Sequence, residues 1–256
     1  MLLLLVGRVV PRASAAEPAS VDVLFWFDTE DLLLPADDDA ARRLAQLFSD
    51  RQIPVTFKVV GEKARLLEQR GRRDVIDALR KHSIGYHSNW HSIHPTPTEY
   101  LADCGWKDGI AEFVRREGAG AADVRRIFQV ETLSCYGQPG ASWAPQSVAA
   151  LSQIGVLPHG IPCYVDEGQH VGLNHQPFWY VGALNVFNMG RGQAYTRMEL
   201  HDEAALDPAR QEVSTMAERL RNQGGGLISI FYHPCEWVHR EFWDCLLYTS
   251  PSPRDS

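Results

Sequence analysis

The chain has 256 residues, 45% hydrophobic and 22% charged, with a formal net charge of −7. That is ordinary globular composition and length for one large α/β domain or two small ones. The acidic balance and the lack of a Lys/Arg run argue against a nucleic-acid footprint. After the N-terminus no stretch approaches the ~20 apolar residues of a membrane helix.

Residues 1–20 read MLLLLVGRVVPRASAAEPAS: a short apolar run, Leu2 to Val6, then the small-residue stretch Ala13-Ser14-Ala15. The segment is expected to be a secretory signal, implying a secreted or periplasmic protein, or else a disordered start to a cytoplasmic one. Val21 to Phe27 is apolar and β-rich and predicts a buried strand that ends at Asp28-Thr29-Glu30-Asp31. Asp37 to Gln52 predicts a helix opened by acidic residues, with Ala41, Leu44, Leu47 and Phe48 on one face. Pro54 introduces a second strand, VTFKVV, closed by Gly61. Glu62 to His82 reads as helix with a break near Gly71, and Ser83 to Tyr86 as a strand leading into His87-Ser88-Asn89-Trp90-His91.

Pro95 to Val124 reads as helix with loops, 127–133 as a further strand, and 136–140 as a turn-rich loop. Trp143 to Ile154 predicts a helix with Pro145 in its first turn; a strand is expected within 156–165. Ala209 to Gln223 predicts a helix ended by Gly224-Gly225-Gly226, before a last apolar strand, Leu227 to Tyr232, that delivers His233. After Asp244 the chain reads CLLYTSPSPRDS, which resembles a translated sequencing-adapter tail. Residues 245–256 are therefore expected to be non-native, and the 21–244 domain to be incomplete at its C-terminus. Cys104, Cys135, Cys163, Cys235 and Cys245 are odd in number and form no C-x-x-C pair, so no disulfide framework is indicated.

Repeated strand-then-helix units predict a parallel sheet or barrel, whose sites lie at the carboxyl ends of strands. Three polar clusters fall there. Asp28, Glu30 and Asp31 crowd three carboxylates together, which repel unless solvated or neutralised. His87 and His91 have i, i+4 spacing, which places two imidazoles on one side of a helical turn, where both can reach one Zn²⁺. His94 by itself reads as a surface residue or as one that backs the metal ligands. His233 stands alone after an apolar strand. Together these groups supply three metal ligands, a base and an acid, the kit for metal-assisted hydrolysis of an amide or ester. Trp143, Phe178, Trp179, Tyr180 and Trp237 either line a sugar cleft or pack in the core. Asp166 either orients His233 or begins a loop.

In this order, residues 21–234 resemble the polysaccharide-deacetylase, or NodB-homology, family (carbohydrate esterase family 4-like). The resemblance rests on the carboxylate motif 27–31, on PVTFKVVG (54–61), on the H-S-x-x-H of His87, Ser88 and His91, on the Pro-Gly loop from Tyr136 to Trp143, and on the apolar strand ending at His233. It implies a distorted (β/α) barrel and one divalent ion, Zn²⁺ first, with Co²⁺ or another as alternatives. It further implies His87, His91 and one of Glu30 or Asp31 as ligands, Asp28 as general base, and His233 as general acid. Tyr136, Gln138 and Trp143 fall on the substrate and oxyanion loop. Gln138 stands where the family usually has an arginine paired with the base aspartate, and a neutral amide lowers that aspartate's pKa less. The implied substrate is an acylated carbohydrate. The alternatives are a small amide, imide or ureide cleaved on the same fold, and a carbohydrate-binding pseudoenzyme. The sequence implies no oligomeric state.

Overall fold

The computed structural model describes residues 20–140, 142–156, 164–166, 178–186 and 203–238. Residues 1–19, the 245–256 tail, Cys163 and the side chains of Asp166 and Phe178 lie outside the described residues.

The strands are β1 (Val21–Thr29), β2 (Thr56–Val59), β3 (Ser83–Tyr86), β4 (Cys135–Gly137), β5 (Tyr164–Asp166), β6 (Phe178–Tyr180), β7 (Ala183–Val186) and β8 (Gly226–Tyr232). The helices are α1 (Pro35–Asp50), α2 (Gly61–Gln69), α3 (Arg73–Leu79), α4 (Pro97–Leu101), α5 (Trp106–Phe128), α6 (Pro145–Ala150) and α7 (Glu203–Asn222). One 8-stranded sheet runs in the order β6-β7-β5-β4-β3-β2-β1-β8. Every neighbouring pair from β8 to β7 is parallel, and β6 returns antiparallel to β7. Parallel neighbours require crossovers, which the helices supply. This is the expected distorted (β/α) barrel, open between β6 and β8 among the described residues.

Alternation along the strands separates two faces. Phe27, Phe57 and Tyr86 face the helical layer: Phe27 packs 5.5 Å from Phe48 of α1 and 5.1 Å from Phe57, and the Tyr86 hydroxyl donates to Glu117 of α5. Burying each such ring contributes about 1.5–3 kcal/mol. The other face carries Trp26 and Asp28 of β1, with Asp28 in register with Lys58 of β2, and Lys58 with Gly85 of β3.

Four expectations are corrected. β1 continues through Asp28 and Thr29 rather than stopping at Phe27, because Thr29 still pairs with Val59. Residues 127–133 form no strand: Ile127 and Phe128 continue the buried stripe of α5 from Ala121 and Val124, and Gln129 ends the helix at φ 56°. Leu133 makes only an isolated bridge to Val156. Residues 136 and 137 of the expected loop belong to strand β4, and the hairpin β6–β7 was not expected. Finally, His87 and His91 share no helical turn. They sit on a loop in which Ser88 and His91 are left-handed, at φ 63° and 52°.

Candidate metal centre

Three strand ends build the centre. Asp28 lies within β1 and Glu30 just past it; His87 follows β3, with His91 four residues on; His233 follows β8. The 88–91 loop is held in its strained form from several sides. Glu117 accepts the Asn89 N–H at 2.7 Å, and Ser88 Oγ accepts the His91 N–H at 2.9 Å. The N–H groups of Gly61 and Glu62, opening α2, donate to the carbonyls of Ser88 and Asn89.

Held this way, Glu30 Oε2 is 2.9 Å from His87 Nε2 and 2.7 Å from His91 Nε2. The ligand atoms of these residues all lie within 4.8 Å of one another. His87 Nδ1 is 2.8 Å from the Gly137 carbonyl, which only accepts, so Nδ1 carries a hydrogen and Nε2 is the ring nitrogen left either to bond Glu30 as an imidazolium or to ligate an ion as the neutral ring. Burial opposes the charge on Glu30, but hydrogen bonds and positive charge from both histidines outweigh it and hold the carboxyl well below the usual range. Burial likewise opposes charge on His87, yet Asp28 and Glu30 raise its pKa. Two imidazole nitrogens and one carboxylate, one ring fixed by a backbone carbonyl, form a donor set that fits Zn²⁺ or Co²⁺.

Asp28 and His233 flank these donors. Asp28 Oδ1 is 2.8 Å from Lys58 Nζ, and Oδ2 is 3.8 Å from His87 Nε2. Burial works to raise the Asp28 pKa; the charges of Lys58, His87 and His233 lower it overall. The charged partner of Asp28 thus comes from the neighbouring strand, where sequence reasoning looked only to the loop. His233 Nδ1 lies 3.3 Å from Glu236 Oε1, and its Nε2 lies 3.8 Å from Glu30 Oε1. Burial disfavours the His233 cation, but Glu236, Asp28 and Glu30 pull its pKa up to about 9.

Other expected residues lie elsewhere. The Asp31 carboxylate is not in the donor cluster; its Oδ1 accepts the N–H groups of Leu33 and Leu34 at 2.8 and 3.0 Å. Tyr136 is in β4, paired with Tyr86 and Val165, and its ring is buried against Tyr86 and Phe113. Gln138 Oε1 is buried without a hydrogen-bond partner among the described residues. Trp143 packs at a tilt, 5.9 Å from Tyr180, Trp237 packs on Phe27 and Tyr232, and Trp179 is exposed. His94 is exposed and pairs with Glu99. Sequence reasoning missed Lys58, Gly137, Glu117 and Glu236. It also missed a cleft of about 270 Å³ beside His91, lined by Trp90, Tyr100, Arg116 and Glu117 among others. Lys58 had a signal: a lysine between Phe57 and Val59 in an otherwise apolar strand.

No family model matches the chain, and no curated protein matches it. Solved structures do. A probable polysaccharide deacetylase from Pseudomonas aeruginosa PAO1 superposes with a TM-score of 0.61 at 12% identity, over 90% of this chain and 83% of that one. The PuuE allantoinase gives a TM-score of 0.58 at 12% identity, over 91% and 84%. The chain therefore has the fold of the polysaccharide deacetylases, the NodB-homology barrel, as its strand-end motifs led one to expect.

Proposed function

We propose that the chain is a metal-dependent hydrolase that removes an N-acyl group, N-acetyl first, from a carbohydrate. Glu30, His87 and His91 hold one divalent ion, Zn²⁺ by preference. One observation carries the reading: these three donors converge at strand ends with Asp28 beside His87 and His233 beside Glu30. The fold likeness to a probable polysaccharide deacetylase supports the substrate class.

A bound dication supplies Lewis-acid stabilisation of charge on a carbonyl oxygen and lowers the pKa of water. The protein's own groups handle the protons. Asp28, kept ionised by its neighbours, accepts a proton from water as the new C–O bond forms. The His233 imidazolium gives a proton to the departing nitrogen as the C–N bond breaks, so acid and free amine leave. Asp28 then returns its proton to solvent and His233 regains one. Export by residues 1–20 would place this substrate outside the cytoplasm; N-terminal sequencing of the mature protein tests that part.

Elemental analysis of the purified chain beside His87→Ala is the test, followed by acetate release from N-acetylated chitooligosaccharides. About one divalent ion per chain, absent from the variant, together with turnover, is the expected result. A chain that is folded by circular dichroism yet takes up no added Zn²⁺ sinks the proposal. The likeness to an allantoinase favours a second reading, hydrolysis of a small ureide, with the same residues in the same roles. Turnover of allantoin without acetate release would select it, and bound metal without turnover of either would mark a pseudoenzyme.

A further inference from the structure

Lys58 puts a positive charge at the back of a site built to hold a cation, and that arrangement calls for a reason. Its side chain is fully buried, its Nζ is 2.8 Å from Asp28 Oδ1, and the ammonium lies 4.9 Å from the Trp26 ring centroid and 5.9 Å from that of Phe231. The neighbouring strands are cut away to admit it. A Cβ on Gly137 would stand 2.7 Å from Lys58 Cδ and 2.8 Å from Nζ, and one on Gly85 would stand 3.1 Å from Cγ. The ammonium is therefore enclosed in one position. A fixed positive charge so near weakens any dication bound by Glu30, His87 and His91, because the interior screens charge poorly.

What the charge does is set by its partner. Asp28 Oδ2 already lies 3.8 Å from His87 Nε2, one of the metal-donor atoms. A carboxylate free to turn there is a good ligand for the same ion, and as a fourth protein ligand it would close the position that a catalytic site keeps open. We propose that Lys58 is a positioning residue that withholds Asp28 from the metal, so that Asp28 remains a proton acceptor and one coordination position remains open. The proposal rests on the reading of Glu30, His87 and His91 as the ligands.

Cobalt(II) titration of the full chain tests it, because Co²⁺ visible absorption reports coordination geometry whether or not the protein turns over a substrate. Lys58→Met is expected to bind Co²⁺ at least about tenfold more tightly and to change the visible band. Adding Asp28→Asn to that variant should restore the wild-type band and remove most of the gain, as a double-mutant cycle resolves. An unchanged band in Lys58→Met, or the same change in the double variant, overturns the proposal. Should Lys58→Met not fold, a crystal structure of the Zn²⁺-loaded wild type decides. Asp28 on Lys58 and off the ion is expected; Asp28 ligating the ion with Lys58 in place overturns the proposal. Wild type that takes up no Co²⁺ overturns the functional reading and this inference with it. A loaded wild type with a flat variant series overturns this inference alone.

Discussion

Lys58 and Lys63 are both fully buried, both paired with aspartate, and stand in consecutive elements, β2 and α2. They use the same interaction for opposite ends. Lys63 Nζ lies 2.6 Å from Asp37 Oδ2, 2.6 Å from Asp38 Oδ1 and 2.7 Å from the Asp31 carbonyl, so its three donors meet three acceptors. Arg70 adds bonds to Asp38 and to the Leu32 carbonyl. Lys63 and Arg70 thus clamp the backbone that follows Glu30 onto the first turn of α1. Lys58 fixes a side chain instead, and that side chain faces the candidate metal centre. Burial and ion pairing alone do not separate scaffold from site; the group at the far end of the pair does.

The largest expected effect tests the Lys58 side of this contrast. Asp28→Asn should keep metal stoichiometry while kcat falls about 10²–10⁴-fold, the usual effect of removing a positioned general base. Full turnover in that variant would reduce the Lys58–Asp28 pair to scaffold and erase the contrast. Lys63→Met should do the reverse. It leaves Asp37 and Asp38 buried beside each other with their shared cation gone, which costs about 3–5 kcal/mol, read as a drop in the urea midpoint. Unchanged stability would mean that the clamp does not hold the segment after Glu30.

The sequence exposed the parts of this molecule that are local. β2, β3 and β8 are short apolar runs between turn residues, and the acid and histidine motifs follow such runs directly. The choice between Glu30 and Asp31 was not local. It depends on β1 running two residues further, which in turn depends on the pairing of Thr29 with Val59. The partner of Asp28 was not local either: register sets Lys58 beside it, whereas sequence reasoning looked to position 138 and found a neutral amide there. The β6–β7 hairpin was hidden by its turn. Val181 and Gly182 take φ 49° and 79°, and a β-branched residue rarely adopts the first of these, so the usual Asn-Gly or Gly-Gly signature is missing.

The smallest predicted effect separates the two lysines by pH. Lys63 is shared between two carboxylates, and burial, with the nearby charges of Asp31 and Asp38 adding to it, outweighs Lys63 and pushes the Asp37 pKa up from 3.8 to about 6. The folded state therefore holds a proton that the unfolded state has already released. The stability this contributes is fully present below 3.8 and is lost as pH rises through about 6. Asp37→Asn cannot titrate there. The stability of wild type relative to Asp37→Asn should thus fall between about pH 4 and about pH 6.5, by on the order of 2 kcal/mol, as read from urea unfolding at each pH. A difference that stays flat over that range would mean that Lys63 satisfies both of its aspartates. The α1–α2 clamp would then be as well balanced electrostatically as a purely structural pair needs to be, and the upward shift at Asp37 would be absent.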